Sequence, residues 1–124
     1  MSDHLATASL LIHCTTAPYG NSRARDAIDV ALAGAVFDQN IQLLFSGDGV
    51  LQLLNNQNGS AIAQKNIERL LSALPLYGID TIYVQQSALQ QRGITMQSLT
   101  LETTALSEQE VAQLLDRQQH IFSF

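Results

Sequence analysis

The stretch Ile41-Gln42-Leu43-Leu44-Phe45-Ser46-Gly47-Asp48-Gly49-Val50-Leu51-Gln52-Leu53-Leu54 decides how the rest of the chain is read. Ile41, Leu43, Leu44 and Phe45 make a short apolar run of the kind that forms a strand buried on both faces. The run stops at Ser46-Gly47-Asp48-Gly49, where two glycines permit positive φ and a sharp reversal, and Asp48 is placed to cap a following helix. Val50 to Leu54 then carries four apolar residues in five. Strand, glycine turn and helix start make half of a βαβ unit, and open parallel sheets bind ligands at such carboxyl ends. The turn lacks the Gly-Lys-Ser/Thr ending of a phosphate loop. It also lacks the third glycine of a dinucleotide fingerprint, because Gln52 stands there.

Working outward, Ala8 to Cys14 reads as a first strand, and Thr15 to Asn21, with Pro18 and Gly20, as a loop. Ala24, Ala27, Ile28, Ala31, Leu32, Ala35 and Val36 recur at helical steps, which predicts an amphipathic helix capped by Asn21 or Ser22. On the other side, Asn55 to Ser60 is a polar loop whose Ser60 is placed to cap a second helix. The stripe of that helix is Ala63, Ile67, Leu70, Leu71 and Leu74, and Pro75 stops it. Ile79 to Val84 reads as a third strand, Gln86 to Arg92 as a short helix ending at Gly93, and Leu99 to Glu102 as a fourth strand. Ser107 and Glu110 have capping-box spacing, so a helix is expected to Asp116 with Val111, Leu114 and Leu115 inward. His120 to Phe124 closes the chain as a fifth strand. The alternation predicts one α/β domain over residues 1–124, a three-layer α/β/α arrangement around a mostly parallel five-stranded sheet.

Composition narrows the function. Of 124 residues, 46% are apolar and only 14% charged, well below the usual quarter, which suggests faces that meet other subunits. The net charge is −5 and Lys65 is the one lysine, so direct binding to a nucleic-acid backbone is not expected. No apolar run approaches membrane-spanning length, and the start Met-Ser-Asp-His-Leu-Ala is polar rather than leader-like. A soluble cytoplasmic protein is expected.

The candidate reactive groups are few. Cys14, the one cysteine, has no Cys-x-x-Cys partner, and its neighbour His13 points to the opposite face of a strand, so an inert buried thiol is expected. His4, His13, His120 and Cys14 show no metal-ligand spacing on any one element. A receiver-domain role for Asp48 fails because no acidic pair follows the first strand and no lysine stands near the last. Ser46-Gly47 is not a Gly-x-Ser-x-Gly elbow. No catalytic, cofactor or metal residue is expected. Val50, Leu51, Leu53 and Leu54, apolar around most of their circumference, are the candidate subunit contact, with a plain core helix as the competing reading.

Several stretches in their order resemble the TusC/DsrF family of the DsrE-like superfamily. They are Thr16-Ala17-Pro18-Tyr19-Gly20, Phe45-Ser46-Gly47-Asp48-Gly49-Val50-Leu51-Gln52-Leu53, Leu76-Tyr77-Gly78-Ile79, the helix from Ser87-Ala88-Leu89 to Arg92-Gly93, and Ile121-Phe122-Ser123-Phe124. The resemblance implies a subunit of a cytoplasmic heterohexamer with two copies each of TusB, TusC and TusD types. Such a complex passes persulfide sulfur, through a TusE-type carrier, to the enzyme that makes 2-thiouridine at the tRNA wobble position. In relatives from sulfur-oxidising bacteria the same architecture serves dissimilatory sulfur oxidation, as with DsrF-type subunits. The resemblance also implies that the sulfur-carrying cysteine belongs to the TusD-type subunit, just after the third strand. Gln85 stands about there in this chain, and a carboxamide cannot hold a persulfide. Two other readings stay open: an independent persulfide carrier using Cys14, and a nucleotide- or anion-binding module using Gly47-Asp48-Gly49.

Overall fold

A computed structural model describes residues 10–18, 22–37, 39–54 and 62–124, with the side chains of α2 described from Ile67 onward. The strands are β1 (Leu10–Cys14), β2 (Ile41–Phe45), β3 (Ile82–Gln85), β4 (Thr104–Leu106) and β5 (Ile121–Ser123). The helices are α1 (Arg23–Val36), α2 (Ile62–Ala73), α3 (Gln86–Gln91) and α4 (Glu108–Asp116). All strand pairs are parallel, in the order β4-β3-β2-β1-β5.

This order explains where the helices lie. The sheet grows one way from β1 to β4, so right-handed crossovers place α1, α2 and α3 on one face. The chain then returns past β1 to add β5, and the same handedness puts α4 on the other face. The expected three-layer α/β fold is therefore present, with unequal layers. Strand alternation divides the core accordingly. Ile12, Cys14, Leu43, Phe45, Ile82 and Val84 pack with Ala27, Ile28, Ala31, Leu71 and Leu89. Leu11, Leu44, Tyr83 and Leu106 pack with Leu114, while Val111 and Leu115 border them. Every residue of β2 is buried, as a central strand of a covered parallel sheet requires. Gln42 is buried with it, on the α4 side, and its Oε1 has no hydrogen-bond partner among the described residues.

Three local expectations change. The fourth strand is Thr104–Leu106, not Leu99–Glu102. Leu99 instead follows a 3₁₀ turn at Met96–Ser98, makes an isolated antiparallel bridge to Leu54, and buries its side chain in the α1–α3 core. Thr100 N–H donates to the Leu53 carbonyl (2.6 Å), so that segment ties down the central turn rather than extending the sheet. The run after the central strand is a 3₁₀ helix, Gly47–Leu53, begun by Ser46 with no side-chain cap, and Asp48 caps nothing. At α1 the N-cap is Ser22, whose hydroxyl donates to the Asp26 carboxylate (3.1 Å) instead of accepting from a backbone N–H. Asn21 and Ser60 lie outside the described residues. The capping box of α4 is complete: Glu110 N–H donates to Ser107 Oγ (3.2 Å), and Ser107 N–H to Glu110 Oε1 (2.9 Å). Pro75 ends α2 as expected, and the chain continues as a 3₁₀ turn over Leu74–Tyr77.

Candidate functional site

At the carboxyl edge of the sheet the ends of β1, β2 and β3 and the start of α4 come together. Alternation along β1 puts Cys14 into the α1–α3 core and turns His13 to the α4 face. There His13 Nε2 and Ser46 Oγ share a hydrogen bond of 2.6 Å. Burial lowers the His13 pKa, so the imidazole is neutral at pH 7. Next to Ser46, Gly47 takes φ +53°, a conformation that few side chains tolerate, and its N–H donates to Gln85 Oε1 (3.0 Å).

Gln85 closes β3 and makes both ends of its carboxamide useful. While Oε1 accepts from Gly47, Nε2 donates to both carboxylate oxygens of Glu108 (3.0 and 3.3 Å). Ser87 Oγ donates to the same carboxylate. The first residue of α4 is thereby tied to the last residue of β3 and to the central turn. On the opposite side of the turn, Arg92 Nη2 donates to Asp48 Oδ1 (2.8 Å), and Gln52 Nε2 to the Thr16 carbonyl (2.8 Å). The turn is thus held from β1, β3, α3 and α4 together. The sequence singled out Gln85 and the glycine turn. Ser46–His13 and Ser87–Glu108 went unnoticed, because their members lie 33 and 21 residues apart and carry no local pattern.

None of these groups is a sulfur nucleophile. Cys14 is fully buried in the helical core, and burial pushes its thiol up to about 12, so it stays protonated at any physiological pH. The opposite-face expectation for His13 and Cys14 holds. Among the described residues no group of three or more His, Cys, Asp or Glu is arranged to hold a metal; His120 is exposed at the head of β5, and His4 lies outside them. A cleft of about 460 Å³ opens at the other, amino edge, between β3 and β4, lined among others by Pro75, Asp80, Thr81, Glu102 and Thr103. Its lining includes none of the residues of the network.

The four apolar residues after the turn divide into two pairs. Val50 and Leu53 are fully buried in this chain's own core, so the competing core reading holds for them. With three residues per turn, a 3₁₀ helix puts residues three apart on one side, so Val50 and Leu53 share the core side while Leu51 and Leu54, on another, are only half-buried. These two remain as a candidate contact.

The comparisons agree with this architecture. The model of the DsrE/DsrF-like family matches residues 8–124. A Protein TusC homolog from Pseudomonas aeruginosa is 36% identical over 115 residues, covering 93% of this chain and 97% of that protein. A Protein TusC homolog from Vibrio parahaemolyticus is 34% identical over 109 residues, 88% of this chain and 92% of that one. Among solved structures, the ychN protein from E. coli superposes with a TM-score of 0.79 at 21% identity, covering 94% of this chain and 99% of its own, which speaks for the fold. A conserved protein from Bacteroides thetaiotaomicron superposes with a TM-score of 0.68 at 16% identity, covering 94% of this chain. A match over nearly the whole chain by the family model and by relatives above 30% identity makes this protein a member of the DsrE/DsrF-like family, of the TusC/DsrF type.

Proposed function

We propose that this chain is the TusC-type subunit of a cytoplasmic sulfur relay, assembled as a heterohexamer with TusB-type and TusD-type subunits. In this reading it supports persulfide transfer, through a TusE-type carrier, toward 2-thiolation of the wobble uridine of tRNA and supplies no thiol of its own. The observation that carries the proposal is the state of the single cysteine. Cys14 is fully buried and held protonated, and the residue at the exposed end of β3 is Gln85, whose carboxamide bridges Gly47 and Glu108. A thiol passes sulfur as an exposed thiolate, and neither position offers one. The sparse charge and the names of the relatives point the same way. Among the described residues no helix is long and apolar enough to cross a membrane, which suits a cytoplasmic relay.

The test is purification of the tagged chain from its native cells, followed by loading of the co-purified complex with radiolabelled sulfur from a cysteine desulfurase. Label is expected on a partner subunit and not on this chain. The thiolated wobble uridine should fall when the gene is deleted and recover when a Cys14→Ser copy is supplied. Label on Cys14, or no recovery with a Cys14→Ser copy that assembles normally, would overturn the proposal.

A further inference from the structure

The cleft at the amino edge exists because two neighbouring strands part there. Pairing of β3 with β4 begins at Tyr83 and Thr104, and the segments before them, residues 80–82 and 101–103, line a space of about 460 Å³. Small-molecule sites run from roughly 300 to 1,000 Å³. The lining combines two kinds of surface. Pro75, Ile82 and Leu101 supply carbon, while Asp80 and Glu102 bring two exposed carboxylates. Neither carboxylate has a cationic partner among the described residues, and no lysine, arginine or histidine lines the cleft.

The other polar groups at this end of the sheet can accept as well. Thr103 Oγ1 is shut off from water and has no partner among the described residues. The register of Leu43 with Ile82 places Gln42 beside Thr81 on the α4 face. Gln42 is 2% exposed, and its unpartnered Oε1 therefore belongs to the residue directly behind the Thr81 wall of the cleft. A buried acceptor without a donor is costly, and native structures normally supply one. What this cleft lacks is donors.

We propose that the cleft binds a short linear diamine, its two ammonium groups on Asp80 and Glu102 and its methylenes against Pro75, Ile82 and Leu101. An ammonium offers three N–H donors and no acceptor, the complement of this lining. An anion would be repelled by both carboxylates. A bare divalent ion gains nothing from the carbon floor, and among the described residues no group of three or more His, Cys, Asp or Glu is arranged to hold one. A neutral apolar ligand would cover the carboxylates without giving them a countercharge. A cation with an aliphatic middle meets both requirements, and two charges answer two carboxylates. The net charge of −5 draws cations to the whole chain, but carbon surface between two carboxylates adds a preference that a bare acidic surface lacks. The cleft lies at the edge opposite the Gln85 network, so the inference stands whether or not the sulfur-relay reading does.

The test is titration of the full-length, isotope-labelled chain with putrescine, followed in ¹H–¹⁵N correlation spectra. Saturable shifts are expected at the amides of Thr81 and Thr103, with a dissociation constant of about 1 mM for so small a ligand. Butylamine and acetyl-lysine amide, each with one ammonium, should bind about tenfold more weakly. Asp80→Asn or Glu102→Gln alone should raise the dissociation constant about tenfold, and the pair together should abolish the saturable shifts. The melting temperature should hardly change, because both carboxylates are exposed and unpaired. Asp29→Asn, which removes a charge from exposed α1 surface, should leave binding as it is. Absence of saturable shifts, equal affinity for butylamine, binding that survives the double substitution, or binding lost with Asp29→Asn would each overturn the proposal. Acetyl-lysine amide binding as tightly as putrescine would also overturn it, and would assign the cleft to a protein's lysine side chain instead.

Discussion

Gly49 lies so close beneath the end of β1 that a Cβ there would come within 2.0 Å of the Cys14 carbonyl oxygen. That oxygen is already occupied, accepting the Ser46 N–H at 3.0 Å. The turn therefore nests against the strand backbone, and only a residue without a side chain fits. Gly47, two positions earlier, has the opposite requirement: its φ of +53° is strained for other residues, but nothing lies within 4 Å of where a Cβ would be. Gly49→Ala is expected to destabilise the fold by about 3 kcal/mol or more, since backbone must move. Gly47→Ala should cost about 1 kcal/mol. Urea denaturation of the two variants checks the difference, and equal midpoints would refute the account of the turn.

Cys14 should be silent in the native chain. Its thiol is fully buried and raised to about 12, so iodoacetamide at pH 8 should leave it unmodified until urea opens the core. The sign of the pH dependence follows. The folded state keeps the proton that the unfolded thiol gives up near 9.0, so this contribution to stability is complete below that pH. It is lost as pH rises from 9.0 toward about 12. Cys14→Ser puts a hydroxyl into the same apolar site and should lower stability by about 1–3 kcal/mol. Mass spectrometry of alkylated protein and urea titration give the two readings.

His13 carries the opposite pH dependence. Its folded pKa is lowered by burial, so the unfolded state takes up the proton first as pH falls. Stability should be complete above 6.5 and decline as pH drops through 6.5 toward the lower folded value. Replacing His13 with Gln removes the titration, so the difference in urea midpoint between wild type and His13→Gln should shrink as pH goes from 7 to 5. A difference that stays constant would mean that His13 titrates alike in both states.

How much of this was legible in the sequence depended on the range of the interaction. The stripe of α1 and the Ser107–Glu110 capping box are set by residues three and four apart; the box is complete, and the stripe is buried from Ala24 to Ala31 and partly at Leu32 and Ala35, while its expected last member, Val36, stands in solvent. The β2 run is equally local: burial of Ile41, Leu43, Leu44 and Phe45 follows from their apolar character, whereas Gln42 is buried because β2 is a central strand covered on both faces. The fourth strand misled because Leu99 and Leu101 alternate as a strand would, while the true β4, Thr104-Ala105-Leu106, is chosen by its register with Tyr83, Val84 and Gln85. Pairing across the sheet outranked the local pattern. The site was hardest to see. Gln85, Glu108 and Gly47 meet only because right-handed crossovers bring the ends of β2, β3 and the start of α4 to one edge. Gly49 was recognisable as special, but its reason is contact with Cys14 rather than a positive φ.

The Gln85–Glu108 tie should matter for local order more than for global stability. Its bonds are partly exposed, so Gln85→Ala is expected to cost only about 1 kcal/mol. The loss releases Gly47 N–H and the start of α4 together. Amide hydrogen exchange should therefore quicken at Gly47 and in the first turn of α4, with the protection of β2 unchanged. Uniform loss of protection across the sheet would show that Gln85 supports the core and not the edge.

The last prediction separates the two pairs after the turn. Val50 and Leu53 are buried in the core of this chain, whereas Leu51 and Leu54 keep part of their surface in solvent. Leu53→Ala should therefore destabilise the isolated chain by about 2–5 kcal/mol, the range for emptying a packed site. Leu51→Asp with Leu54→Asp places charge where water still reaches, so the chain should keep its circular dichroism spectrum with a modest loss of melting temperature. If Leu51 and Leu54 meet a homologous subunit, the same two carboxylates would be desolvated without partners, and the complex should not form. Co-expression of each variant with its presumed partners, followed by pull-down, reads the outcome. The double aspartate variant is expected folded but absent from the complex, and Leu53→Ala destabilised but, where folded, still bound. Normal assembly of the folded double variant would remove this surface from the interface and leave the partner contact to be sought elsewhere on the fold.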